Sequence, residues 1–338
     1  MRYKLIGPVG LLLVALTLLG IVLGVSVGAA DLSPGIVARS LTGRAPDPIT
    51  YHIVVSRRLP RVIAALISGA GLALGGAVLQ SLTRNALADP YILGISGGSM
   101  LGAALVITGG VTLTGLGGFS AVTIAAFIGG ILSLLAVFAF STTRAGALAP
   151  QRMILAGVAV GQLTGSAASA LVYFGDRDAA QRIQAWSLGS LAGVGWSSIP
   201  ITGAVVAAAM VIILFSSRAL DAFAFGEEAA QSLGINVALI RWLLYSVVSL
   251  ATAAMVAQAG MIGFVGLIVP HVVRLIFGPL HGVLLPFTAI TGATMLLWTD
   301  IACRTLFAPR ELPLGLVTAV IGVPVFLYVL HRSRKGAM

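Results

Sequence analysis

Long apolar runs recur along this chain, each close to the length of a bilayer crossing and each closed by a few polar residues. They lie near 5–29, 58–82, 91–108, 115–141, 150–174, 191–216, 238–258, 262–277, 284–306 and 312–331. A hydrocarbon core about 30 Å thick takes roughly 20 apolar residues as a helix. The runs are continuous and not alternating, so they predict helices and not the strands of a barrel. Segment 262–277 is short, and Pro270 interrupts it. Hydrophobic residues make up 58% of the chain and charged residues 9%, a balance foreign to soluble domains. The prediction is an all-α polytopic membrane protein of about ten transmembrane helices, a single domain over 1–338.

Lysine occurs only at Lys4 and Lys335. A P-loop needs a lysine inside G-x-x-x-x-G-K-[ST] to reach nucleotide phosphates, and neither terminal lysine sits in such a motif. If this protein does uphill work on ATP, the ATPase is another chain. The single cysteine, Cys303, excludes an intrachain disulfide and a cysteine-based metal site. No H-E-x-x-H occurs and no histidines or carboxylates cluster, so no metal site is expected. The N-terminus carries Arg2 and Lys4 before an apolar stretch from Leu5 to about Gly28. A signal peptide's apolar region is only about 7–15 residues long, so a retained first helix is expected.

Ten helices put both termini on one side, and Arg2, Lys4, Arg332, Arg334 and Lys335 make that side the cytoplasm. The 20 basic residues then divide almost evenly between the two sides, which is a weak inside bias. The outer set is all arginine, with Arg57, Arg58 and Arg61 grouped at the mouth of the second helix. The rigid fork of arginine suits carboxylates. This cluster reads as a docking surface for an acidic partner or as an anchor for lipid headgroups, and the residues alone leave both open.

Segment 31–57 is the longest external loop. Ser33 followed by Pro34 is a helix start, with serine as N-cap and proline at the first helical position, and predicts a surface helix over 34–41. Glycine is abundant, 42 residues, and often spaced by four, as in Gly71 and Gly75, Gly98 and Gly102 or Gly157 and Gly161. That spacing lets membrane helices approach closely. Stretch 217–236 is polar, with Gly226 between two short amphipathic pieces and Gly234 as a stop. Two surface helices there present Asp221, Phe223, Phe225, Glu227 and Glu228 to a cytosolic partner, or simply connect two spans. Each half also holds a helix with a Gly- or Pro-bearing break, Asn85 to Gly98 and Gly260 to Pro270, as internally duplicated transporters do.

Catalytic readings fail on residue supply. Gly94-Ile95-Ser96-Gly97 matches an intramembrane serine-protease motif, but His271 is the one conceivable base among four histidines. Asp300 and Arg304 lie four apart on one helical face and neutralise each other near the outer end. No longer chain of ionisable groups accompanies them, so a proton-coupled secondary carrier ranks second.

Several stretches together resemble the FecCD-type permeases, membrane subunits of bacterial ABC importers for ferric siderophores, haem and cobalamin. They are R-L-P-R at 58–61, L-Q-S-L-T-R-N-A-L-A-D-P at 79–90, L-G-I-S-G-G at 93–98 and W-S-L-G-S-L at 186–191. The resemblance continues with G-E-E-A-A-Q-S-L-G-I-N at 226–236, G-M-I-G-F-V-G-L-I-V-P-H at 260–271 with Arg274, and E-L-P-L-G-L-V-T-A-V-I-G-V-P at 311–324. They run in order across about 270 residues. The family usually has proline where this chain has Ala86, which loosens that loop.

The resemblance implies a BtuC-like type II ABC importer permease fold in the bacterial inner membrane. It implies a second permease subunit of the same sequence, two cytosolic ATPases and an extracytoplasmic solute-binding protein. ATP and Mg belong to the ATPase, no cofactor binds this chain, and no nucleic acid is involved. By position Arg57, Arg58 and Arg61 meet the binding protein, with Arg304 a fourth. Asp221, Phe225, Gly226, Glu227, Glu228, Ser232, Leu233 and Gly234 form the ATPase-coupling segment. Asn85 and Leu87, with Thr142 and Thr143, form the inner gate. The solute passes between helices 5 and 10 of two subunits, with Gln162, Thr164 and Ser166 as path candidates or packing residues. A ferric siderophore is the first substrate, haem the second and cobalamin the third.

Overall fold

A computed structural model of the chain describes residues 6–28, 32–110, 120–142 and 148–335. Each of the ten apolar runs contains a helix: α1 (Ile6–Ser26), α2 (Leu59–Thr83), α3 (Ile95–Thr108), α4 (Ala121–Ser141), α5 (Pro150–Phe174), α6 (Ile199–Phe215), α7 (Val237–Ala259), α8 (Val265–Phe277), α9 (His281–Thr305) and α10 (Leu314–Lys335). Among the described residues six spans are long and apolar enough to cross a bilayer on their own. A seventh forms if α6 is joined to the next helix across a 54° bend, while α3, α8 and the apolar part of α10 are shorter. Short helices are a second route to ten apolar segments, because a helix need not cross alone when its backbone ends are buried in protein.

Helix α2 is the hub. It packs against α9, α8, α6 and α7, and its apolar window is the most buried of all the spans. Glycine makes these approaches close. A Cβ at Gly69 would collide with the Gly292 carbonyl of α9, and one at Gly76 with the Gly266 backbone of α8. Lipid tails supply no hydrophobic drive for helix association, so packing at this range is what holds the hub.

Helices α3 and α8 begin after breaks in matching halves. Gly94 enters α3 at φ +75°, and Phe264 enters α8 at φ +68°. The breaks touch, because the Ile262 amide donates to the Tyr91 hydroxyl at 2.9 Å. Both breaks fall within the stretches expected to carry them, Asn85 to Gly98 and Gly260 to Pro270.

The surface helices follow local capping. Ser33 accepts from the Ile36 amide and starts Pro34–Leu41, the expected element. The loop that follows is more helical than expected. Pro48–Tyr51, capped by Asp47, runs through the π-helical turn His52–Arg58 into α2, one 36-residue rod. Asp47 holds its proton below the usual carboxylate range because the Thr50 hydroxyl and amide donate to it. A helix at Arg177–Ser187, started by Asp176 accepting from the Ala179 amide at 2.6 Å, was not foreseen.

Candidate functional site

Polar chemistry concentrates at the two ends of the bundle. At the first end, α1 stops and leaves carbonyls without intrahelical partners. Arg58 donates to the Val25 and Ser26 carbonyls at 3.2 and 2.5 Å, and Arg304 to those of Gly24 and Val27 at 3.0 and 3.3 Å. Both arginines thus close the C-terminus of α1, where a cation also suits the helix dipole. Arg304 pairs with Asp300 at 3.0 Å, the i,i+4 pair anticipated from sequence. Arg61 reaches the other oxygen of Asp300 at 2.8 Å and Glu311 at 2.9 Å. Asp300 has no exposed surface, and Arg58, Arg61 and Arg304 are 6–7% exposed.

The expected docking quartet therefore splits. Arg57 lies on the surface, while Arg58, Arg61 and Arg304 turn inward. Arg58 and Arg61, three apart on the continuous rod, face the bundle, while Arg57, within the π-helical turn, does not. Glu311, which sequence reasoning missed as a partner, stands within the E-L-P-L-G-L stretch.

At the opposite end, stretch 217–236 forms the two predicted short helices, Ser217–Ala224 and Glu227–Ser232. Gly226 (φ +113°) separates them and Gly234 (φ +80°) stops the second, both conformations that favour glycine. Two acidic residues bind the segment to the bundle. Asp221 Oδ1 accepts from the His281 amide at 2.9 Å and lies 2.7 Å from His281 Nδ1, so it caps α9. The other ring nitrogen of His281 is 2.7 Å from the Ser81 hydroxyl of α2. Glu227 pairs with Arg241 of α7 at 2.6 Å. That hydrogen bond, helped by the nearby charge of Arg84, holds the Glu227 carboxyl below its usual range. Phe225, Glu228, Ser232, Leu233 and Gly234 face outward. The segment is thus pinned by Asp221 and Glu227 and presents an apolar and acidic surface beside the pins.

The inner-gate candidates occupy the loops beside this segment. Asn85 accepts from the Leu87 amide at 2.9 Å, a side-chain turn that steadies the loop lacking proline at 86. Leu87 itself is exposed. Asp89 caps the turn Pro90–Leu93 through the Tyr91 amide, and burial pushes its carboxyl up to about 6. Thr142 ends α4 and donates to the Phe138 carbonyl at 2.7 Å. Thr143 lies outside the described residues. No hydrogen bond joins the two loops among the described residues.

Of the path candidates, Gln162 and Ser166 are exposed on one face of α5, one turn apart. Thr164 instead folds back, donating to the Val160 carbonyl at 2.8 Å, and lines an apolar groove with Gly98 and Leu101 of α3. The α5 apolar window is only 17% buried, so a long membrane helix here leaves most of its surface to other contacts. Ser96 and His271, the protease candidates, share no hydrogen bond among the described residues.

Comparison with known proteins agrees with this architecture. The model of the FecCD transport family matches residues 16–332. The chain is 38% identical to the hemin transport system permease protein of Yersinia pestis, over 96% of both chains. It is 38% identical to the vitamin B12 import system permease protein of Vibrio vulnificus, over 85% of both. It is also 34% identical to the iron(3+)-hydroxamate import system permease protein of Bacillus subtilis, over 98% of this chain and 85% of that one. A structure described as the inward-facing conformation of a metal-chelate type ABC transporter superposes with a TM-score of 0.83 at 32% identity. That match covers 97% of this chain and 99% of the other.

Proposed function

The chain belongs to the FecCD transport family, and on that premise we propose that it moves a ferric chelate, first an iron-siderophore complex, through the cytoplasmic membrane by alternating access. It is a multi-pass ABC importer permease and not an enzyme, and ATP hydrolysis belongs to a separate chain. Permeases of this family work with ATPase and binding-protein partners. The observation that carries the finer reading is the pinned segment at 217–236. It offers Phe225, Glu228 and Leu233 to a partner, while Asp221 and Glu227 pass any displacement to α9 and α7.

In this reading a second copy of the chain completes the path, with Gln162 and Ser166 of α5 facing it. ATP-driven closure of two ATPases moves segment 217–236, and α9, α2 and α7 follow through His281, Ser81 and Arg241. Both termini face the cytoplasm with that segment. The binding protein docks on the opposite end, where Arg57 is the exposed member of the expected quartet and Arg58, Arg61 and Arg304 fix the surface beneath it. Leu87 and Thr142 belong to the inner gate.

An iron-hydroxamate relative supports the siderophore. Haem is the second reading, favoured by a hemin permease at 38% identity over 96% of the chain. The test is uptake in a deletion strain complemented with this permease and its partners, offered labelled ferric siderophore, haem and cobalamin in parallel. Siderophore uptake that disappears with an ATPase-dead partner is the expected result. Uptake of haem or cobalamin alone overturns the substrate. Uptake that survives without the ATPase and collapses with the proton gradient overturns the ABC mechanism.

A further inference from the structure

Beside the pinned segment lies a cavity of about 280 Å³ between the ends of α2, α8 and α9. Gln80, Ser81, Arg84, Arg274 and His281 line it, and Leu220, Ala224 and Pro279 form an apolar rim. It is smaller than the roughly 300–1,000 Å³ of pockets for drug-sized ligands, so it does not suit a large transported chelate.

Neither of its arginines is in ion-pair contact with a carboxylate among the described residues. Arg274 is half-buried and donates through Nη1 to the Gln80 side chain at 3.1 Å. Gln80 is held in turn, because its amide donates to the Gly266 and Leu267 carbonyls of α8. That leaves Nε and Nη2 of Arg274 without a partner among the described residues. Arg84 ends α2 in the left-handed conformation, φ +49°, and carries its guanidinium toward Gly226. The nearby carboxylates are committed elsewhere, Asp221 to His281 and Glu227 to Arg241, and none pairs with Arg84 or Arg274 among the described residues. At the other end of the bundle, by contrast, Arg61 and Arg304 each have a carboxylate partner.

Two arginines lining one small pocket, with apolar residues beside them, suit one ligand chemistry. Arginine forks bind phosphate oxygens through paired hydrogen bonds, and basic pockets between membrane helices hold anionic headgroups. We infer that this cavity binds a phosphate group, presented by an anionic phospholipid headgroup or by a small soluble phosphate, with Arg274 and Arg84 as its ligands. Arg84, whose guanidinium borders Gly226, links a phosphate held there to the break between the two helices of the pinned segment.

The test uses the permease–ATPase complex, delipidated in neutral detergent. Thermal stabilisation is titrated with phosphatidylglycerol, inorganic phosphate and glycerol 3-phosphate, with phosphatidylcholine as the neutral control. Saturable stabilisation by a phosphate-bearing probe but not by phosphatidylcholine is expected, weakened about tenfold or more in the Arg84→Gln, Arg274→Gln double variant. Ala86→Glu, at an exposed position on the cavity wall, keeps the fold and fills the site with a carboxylate of the chain itself. It should abolish the stabilisation. Response to phosphatidylglycerol alone identifies the lipid as source, and an equal response to the soluble phosphates identifies a free ligand. No saturable response in the unsubstituted complex, or an equal response in all variants, overturns the inference. Loss of ATPase assembly in the variants with phosphate binding unchanged also overturns it, and makes the cavity a protein contact.

Discussion

The two ends of this bundle use arginine in opposite ways. At one end Arg58, Arg61 and Arg304 are buried and answered by the last carbonyls of α1, by Asp300 and by Glu311. At the other end Arg84 and Arg274 border a cavity with no carboxylate in ion-pair contact among the described residues, beside a segment hinged on glycine. The same side chain is a structural closure in the first place and an available charge in the second. What differs is whether the surrounding chain spends its carboxylates and helix ends on it. The closed end is satisfied within the chain, while the open end, on the inference drawn above, leaves two guanidiniums for a ligand.

The sharpest way to break this contrast is at Asp300. Asp300→Ala leaves Arg61 and Arg304 buried beside each other with one carboxylate, Glu311, between them. Removing one partner from a buried ion network costs about 3–5 kcal/mol. The expected result is a large loss of thermal stability in detergent, with little folded protein recovered. A variant as stable as the parent would mean that the closed end is not held by this network.

The open end should respond to pH through Asp89. Its carboxyl is raised by burial from 3.8 to about 6, so the folded chain favours the neutral form. That contribution is fully present below pH 3.8 and is lost as pH rises toward 6. Asp89→Asn should abolish this part of the pH dependence and raise stability above pH 6, read from unfolding at pH 5 and pH 7. An unchanged pH profile would remove Asp89 from the account.

How far the sequence revealed these ends depended on whether the signal was local. The helix at Pro34–Leu41 and the split at Gly226 were legible because N-caps and positive-φ glycines act on their own neighbours. The Asp300–Arg304 pair was legible because i,i+4 spacing fixes it within one helix. The partners of Arg61 lie 239 and 250 residues away, and the His281–Asp221 bond spans 60. No periodicity reports such contacts. The inward turn of Arg58 was hidden for a related reason. It depends on the rod Pro48–Thr83 being continuous, and the prolines and polar residues within 46–57 read as loop.

A smaller effect is expected at the pins. Asp221→Ala removes the cap of α9 and the link to His281, at about 1–2 kcal/mol by analogy with other caps. Its functional cost should exceed its structural one: ATP hydrolysis in proteoliposomes should continue while transport falls. Glu227→Gln and Glu228→Gln separate pin from surface. Glu227→Gln should loosen the segment from Arg241, whereas Glu228→Gln should weaken ATPase binding and leave the fold alone. Equal behaviour of the two would erase the distinction between them.

The smallest structural effect belongs to Arg57, and it is the most discriminating. Arg57 is exposed and hydrogen-bonds to no described residue, so Arg57→Glu should change stability by less than about 0.5 kcal/mol. If Arg57 docks an acidic binding protein, the same change should slow association and flatten its salt dependence, because exposed charges act mainly on encounter. Arg61→Glu is the matched comparison, since it places a third carboxylate against Asp300 and Glu311 and should unfold the closed end before any docking is measured. Stopped-flow association of the binding protein with the reconstituted complex at two ionic strengths decides the matter. An unchanged rate for Arg57→Glu in a well-folded complex would move the docking surface off the mouth of α2 and leave the arginines of this end a purely structural role.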